Sequence, residues 1–201
     1  SILNVTTLEA ALASSSVIVQ TRSTGAQLGN ITVSNGITWA SGNTLTLSAA
    51  NDIIINAAIS GGGLTLSAGN DVQINSAISG TGMLWIKPES VATTIGVAGG
   101  AGTLNISTSD LGNIVDGWSS IVIGRTDGTG AVTLNTQTWT DALTVQSGSG
   151  VITVSGTQTM GANALTLSTD ADLVLNANLT GSGTLTIQQS STATTMGLGN
   201  A

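Results

Sequence analysis

The sequence predicts an all-β fold, a right-handed parallel β-helix, on three observations. Residues 45–60 read LTLSAANDIIINAAIS and residues 64–79 read LTLSAGNDVQINSAIS, one segment written twice at a spacing of 19 residues; a third version, LTLSTDADLVLNANLT, occupies 165–180. Repetition near every 20 residues marks a solenoid, in which each repeat is one coil stacked on the last. Within each copy the apolar residues alternate (Leu45, Leu47, then Ile53, Ile55), so the coils are built of strands and not helices. Thr, Val and Ile suit a pleated surface, and the 27 glycines with many asparagines suit tight corners.

Coils of 19–22 residues with two or three short strands give roughly ten rungs, a rod about 50 Å long at a rung spacing of about 4.8 Å. A left-handed hexapeptide helix would need an 18-residue coil with a strict six-residue subperiod, a pattern this sequence lacks. An antiparallel sandwich fits near-identical tandem segments poorly, and disorder is opposed by 40% hydrophobic content in strict alternation.

Taken in order, the segments follow a second, longer period. LNVTT at 3–7 returns as LNIST at 104–108, and ESVATTIGVAGGAGTLNIS at 89–107 returns as SSTATTMGLGNA at 190–201, each offset by 101. SSVIVQTRSTG at 15–25 returns as SSIVIGRTDGTG at 119–130, setting Arg22 against Arg125. The chain reads as one continuous solenoid of two tandem units, about 1–102 and 103–201. ITVSNGITW (31–39), VTLNTQTW (132–139) and ITVSGTQTM (152–160) share a template. The last two should be adjacent rungs, with Trp139 near Met160 and Thr136–Gln137–Thr138 beside Thr157–Gln158–Thr159. Asn51 and Asn70, and Asn56 and Asn75, should pair likewise. Residues 107–118 (STSDLGNIVDGW) break the phase and should loop out or add an irregular turn. Polar capping repeats are not recognisable at Ser1 or Ala201, so the chain is expected to be an excerpt of a longer repeat protein.

Composition narrows the function. Net charge is −7, with Arg22, Lys87 and Arg125 as the cations; three scattered cations do not make a nucleic-acid footprint or a patch for an anionic membrane. Apolar runs are too short for a membrane helix. The absence of cysteine rules out a disulfide framework and favours export.

Acidic residues are the main source of chemistry. Asp52 and Asp71 share a position on adjacent rungs, with Asp172 equivalent in the second unit. A carboxylate ladder offers hard oxygens to calcium, but one carboxylate per rung beside an Asn reads as a turn residue facing water. DGTG at 127–130 and TDAD at 169–172 read as turns, since neither has the spacing of a cation or phosphate loop. Without His, and with Lys87 set beside Pro88, nucleophile–base catalysis has no parts. The chain is therefore read as non-catalytic, with no catalytic, cofactor-binding or metal-binding residue assigned. The TQT pair could begin a flat threonine array, although Thr is also an ordinary strand residue. Trp39 and Trp139 share a slot with Met160, which favours packing. Trp85 replaces the inward Leu66 in a 19-residue register. Trp118, in the insert, is the best candidate for an exposed aromatic.

The run ITVSNGITWASGNTLTLSAANDIIINAAIS, preceded by TLEAALASSSVIVQT at 7–21, resembles repeats of filamentous-haemagglutinin-like exoproteins of two-partner secretion systems, as do TTIGVAGGAGTLNIS and GWSSIVIGRTDGTGAVTLN. The resemblance spans essentially the whole chain. It implies a β-helical shaft of a secreted, cell-surface adhesin or biofilm fibre. Its matched motifs are structural and assign no functional residue. The implied partners are further repeats or copies of the chain, or cell-surface glycans and proteins, with no nucleic acid, membrane insertion or cofactor. Alternatives are a self-assembling filament whose repeats pack laterally and a glycan-binding module.

Overall fold

The structure, a computed structural model, describes residues 2–24, 26–192 and 195–197. The 190–201 copy of the 89–107 motif is thus described in part; Ala193, Thr194 and residues 198–201 lie outside the described residues.

The chain opens with a helix, α1 (Val5–Ser14). The first coil is β1 (Val17–Gln20), β2 (Ile31–Val33) and β3 (Ile37–Thr38). The second is β4 (Thr44–Ala49), β5 (Ile53–Ile55) and β6 (Ile59–Gly61), and the third β7 (Gly63–Ala68), β8 (Val72–Ile74) and β9 (Ile78–Gly80). The fourth begins with β10 (Met83–Pro88) and β11 (Ile95–Val97), then departs through β12 (Leu104–Ile106) and a short helix, α2 (Thr108–Gly112). Regular coiling resumes with β13 (Ser120–Arg125), β14 (Val132–Leu134) and β15 (Gln137–Thr138), then β16 (Leu143–Ser147), β17 (Ile152–Val154) and β18 (Gln158–Thr159). β19 (Leu165–Ser168), β20 (Leu173–Leu175) and β21 (Leu179–Thr180) make the seventh coil, and β22 (Leu185–Gln188) starts an eighth.

Among the described residues every strand pairing is parallel, and the predicted β-solenoid is the observed fold. One face is a single eight-stranded sheet, β1-β4-β7-β10-β13-β16-β19-β22. Its inward column runs Val17, Leu45, Leu64, Leu84, Ile121, Leu143, Leu165, Leu185 in unbroken register. From Leu45 to Leu165 this column is at most 2% exposed, and each such side chain contributes roughly 1.5–3 kcal/mol of burial. The second face is β2-β5-β8 followed by β12-β11-β14-β17-β20; the third is β3-β6-β9 followed by β15-β18-β21. The core is one continuous cluster from Leu8 to Leu167.

The described residues make about eight turns, not ten, because two stretches do not coil. The first is α1, where Ala, Leu and Glu favour helix and Asn4 caps it by accepting from Thr7 N at 3.2 Å. It covers the end of the core with Leu8 and Leu12. Glu9 accepts from Thr38 N, and the Leu12 carbonyl from Ser41 Oγ and Asn43 Nδ2. A helical cover thus stands at the end where the sequence had suggested no cap. The second is residues 98–118. Ala98 (φ 55°) and Gly99 (φ 78°) turn the chain back, so β12 pairs with β11 on the side facing β8, one step down the rod.

Trp85 corrects a register. The step from β7 to β10 is 20 residues, pairing Leu66 with Ile86 and Thr65 with Trp85. A one-residue slip in a strand reverses the face of every side chain. Trp85 therefore lies on the outer face, half-buried, with Lys87 Nζ 4.1 Å from its ring centroid and its Nε1 donating to the Gly124 carbonyl.

Candidate functional site

The candidate residues gather into axial ladders, the irregular stretch and the rod's two ends. The first ladder is carboxylate and amide. Asp52 accepts from Asn70 Nδ2 at 2.8 Å and from Asp71 N at 3.2 Å, while Asn51 Nδ2 donates to Asn30 Oδ1. Asp71 then accepts from Asn105 N at 2.9 Å. Each carboxylate thus ties down the coil above it, the structural role of a turn residue. Burial pushes the Asp71 carboxyl up, opposed by the amides of Asn105 and Val72 and reinforced by Asp110 and Asp52. Asp172, the second unit's equivalent, is exposed. Asn75 Nδ2 donates to Asn56 Oδ1 at 2.9 Å, so the predicted asparagine pair exists. Among the described residues, no three His, Cys, Asp or Glu side chains are placed to hold a metal ion.

The irregular stretch behaves as a substitute rung. Ser107 and Asp110 form a capping box at the start of α2. Asp110 also accepts from Ile74 N at 2.6 Å. Asn113 donates through Nδ2 to the Ile74 carbonyl, and its own carbonyl accepts from Ile78 N. Together with the Ile78–Ile114 bridge, side chains and loop supply what a regular strand would have supplied to β8 and β9.

Trp118, the best candidate in the sequence for an exposed aromatic, ends this stretch and is buried, 4% exposed. A Cβ on Gly80 would fall 2.3 Å from its ring, so the missing side chain makes the room. Its Nε1 is buried without a hydrogen-bond partner among the described residues. Trp39 sits against Gly61 in the same way and donates from Nε1 to the Asn43 carbonyl. Trp139 is followed in register by Met160 as expected, and donates to Gln158 Oε1 at 2.9 Å. Gln158 itself is fully buried and donates to the carbonyls of Asn135 and Gly156, a polar group taken into the core. The threonines of that template, Thr138, Thr159 and Thr180, do line up on the outside.

Both suspected loops are turns. In 127–130, Asp127 receives a bidentate pair from Arg125 at 2.8 Å, which lowers the aspartate and raises the arginine. Arg125 also donates to the carbonyls of Pro88 and Glu89, stapling neighbouring coils. Arg22, its sequence counterpart, is exposed. In 169–172, Thr169 is buried and donates to the Gly150 carbonyl. At the C-terminal end a cleft of about 700 Å³ opens between β20 and residues 195–197, lined by Asp172, Leu173, Leu175, Ile187 and Met196. Among the described residues no helix is long and apolar enough to cross a membrane. No family model, curated protein or solved structure matches the chain.

Proposed function

We propose that the chain is a length of shaft in an exported surface fibre, a non-catalytic spacer of the kind its filamentous-haemagglutinin-like repeats imply. The observation that carries this reading is the unbroken eight-stranded parallel sheet over one continuous core. Hydrogen bonds between coils run along the rod axis, so bending the rod strains many of them at once. Two of the carboxylates that suggested chemistry, Asp52 and Asp71, are occupied in joining one coil to the next, as are Asp110 and Gln158. The glycan-binding alternative calls for an exposed tryptophan among clustered polar groups, and its best candidate, Trp118, is buried.

Electron cryo-tomography of producing cells, with an antibody against this segment as marker, tests the proposal. Thin rods standing off the outer surface are the expected result. Label confined to the cell interior would overturn it, and a bundled lattice would move the function to lateral contacts between rods.

A further inference from the structure

From β4 to β19 the outward column of the eight-stranded sheet runs Thr46, Thr65, Trp85, Val122, Thr144, Thr166. Beside it stand Ser48, Ser67 and Lys87, then Gly124, Gln146 and Ser168. The surface is thus threonine with serine or glutamine everywhere except on β10 and β13. There it carries Trp85, Lys87 and Val122, with Met83 next to them and 40% exposed. A rung of this sheet does not need those residues, because β4, β7, β16 and β19 pair in the same way without them. The 101-residue repeat makes the same point. It equates Met83, Trp85, Lys87 and Glu89 with Thr184, Thr186, Gln188 and Ser190.

The exceptional side chains are held in place. Trp85 Nε1 donates to the Gly124 carbonyl at 2.8 Å, which fixes the indole toward β13 at a residue that has no side chain of its own. Lys87 Nζ lies 4.1 Å from the centroid of that ring, and among the described residues it forms no ion pair. Glu89 reaches across β7 to accept from Ser48 Oγ at 2.9 Å. Arg125 is joined to Asp127 and to the carbonyls of Pro88 and Glu89. Two of the three cations in the chain and two of its ten acids therefore stand around one tryptophan in the middle of the rod. Their charges cancel.

We propose that Trp85 is the platform of a binding site for an uncharged polysaccharide lying across the outer face of β10 and β13. A pyranose ring has an apolar C–H face and a rim of hydroxyls. The indole suits the first, and Lys87, Glu89 and Gln146 offer donors and acceptors to the second. The site lies on the open face of a sheet, which fits an extended chain better than an enclosed small molecule. Charge sets the class of saccharide: the cluster is locally neutral and the whole chain carries −7, so a polyanion is repelled. Lys87 covers the indole in the free chain, but an exposed cation–π contact is weak and the lysine stem is flexible, so it swings aside. The pinned indole has little freedom left to lose on binding. Trp85 thus fills the role for which Trp118 is too deeply buried. The inference goes beyond the shaft reading and does not depend on it.

The other tryptophans make the test selective. Trp39, Trp118 and Trp139 are 6%, 4% and 4% exposed, so fluorescence that acrylamide quenches readily comes from Trp85. The probes are hydroxyethyl cellulose, mannan, galactan and dextran, with polygalacturonate as the charged comparison. At least one uncharged polymer should slow the quenching and should retard the folded chain in affinity gel electrophoresis. Trp85→Thr installs the residue that the repeat carries at Thr186, so circular dichroism should stay that of the parent while apparent affinity falls about tenfold. Folded parent that none of the uncharged polymers retards overturns the proposal. So does retardation by polygalacturonate alone, or retardation that Trp85→Thr leaves unchanged. Quenching that slows on raising the protein concentration without sugar would mean that a second copy covers Trp85, and would overturn it too. Tomography of the rods reads the shaft independently, so either idea can fail alone.

Discussion

Replacing Asp110 with alanine strips the irregular stretch of the carboxylate that joins it to the coil beneath. Asp110 is 7% exposed. One carboxylate oxygen accepts from Ile74 N at 2.6 Å; the other accepts from Ser107 N at 2.8 Å and from the Ser107 hydroxyl. Ile74 is 1% exposed, so its amide has no solvent to turn to. A buried donor left unmade costs about 1–3 kcal/mol, and a lost helix cap about 1 kcal/mol. The expected loss is therefore about 2–4 kcal/mol. Asp110→Asn keeps an acceptor for Ile74 and should lose about half as much; Ser107→Ala forfeits the cap alone, about 1 kcal/mol. Urea unfolding followed by tryptophan fluorescence reads these losses, because Trp118 is buried at the end of the same stretch. Amide exchange at Ile74 reads the local opening that a repeat protein permits. An Asp110→Ala chain within about 0.5 kcal/mol of the parent, the range of an ordinary surface change, with Ile74 equally protected, would refute the substitute-rung account.

Other expectations are independent of that site. Gly61→Ala drives a Cβ to within 2.2 Å of the Trp39 ring and should destabilise by about 1–3 kcal/mol, whereas Gly42→Ala meets nothing within 4 Å and should stay within about 0.5 kcal/mol in a thermal melt. Gln158→Leu leaves Trp139 Nε1 and two carbonyls without their partner; a loss of about 2–4 kcal/mol is expected by urea titration, and a neutral result would mean the core closes over them. Asp71 and Asp141 both have carboxyls pushed up, first by burial. Each holds its proton more tightly folded than unfolded, so stability should fall as pH rises from the ordinary carboxylate value toward the raised one. Asp71→Asn should flatten part of that decline in urea midpoints, and an unaltered slope would count against burial as its cause.

The regular coils were legible because stacking leaves a direct mark in the chain. Leu45 and Leu64, Asn56 and Asn75, and Gln137 and Gln158 lie in register as their spacing predicted. The failures have local causes. A 19-residue step sets Trp85 inward, whereas the chain uses 20 here. In the TQT pair, alternation places Gln158 opposite its threonine neighbours, on the side of Ile37 and Ile59 in earlier coils. The irregular segment hides where Trp118 points, but the repeat carries a signal. Ile59–Ser60–Gly61 and Ile78–Ser79–Gly80 repeat, and each glycine receives a tryptophan. The two helices leave no mark in a coil-by-coil repeat: α2 lies inside the 107–118 stretch that reads as a loop or irregular turn, and α1 precedes the regular coils.

The backward step at residues 98–118 also solves a counting problem. The segments at 45–60 and 64–79 are close to interchangeable, so a folding chain gains nearly as much from seating a coil one storey too high or too low as from seating it correctly. Such slips leave near-degenerate structures that the regular coils alone cannot tell apart. Only one arrangement brings Asp110 to Ile74 and Asn113 to Ile78. The irregular segment thus works as an index mark on a ruler of identical divisions, and the tandem repeat can be monotonous because it is punctuated.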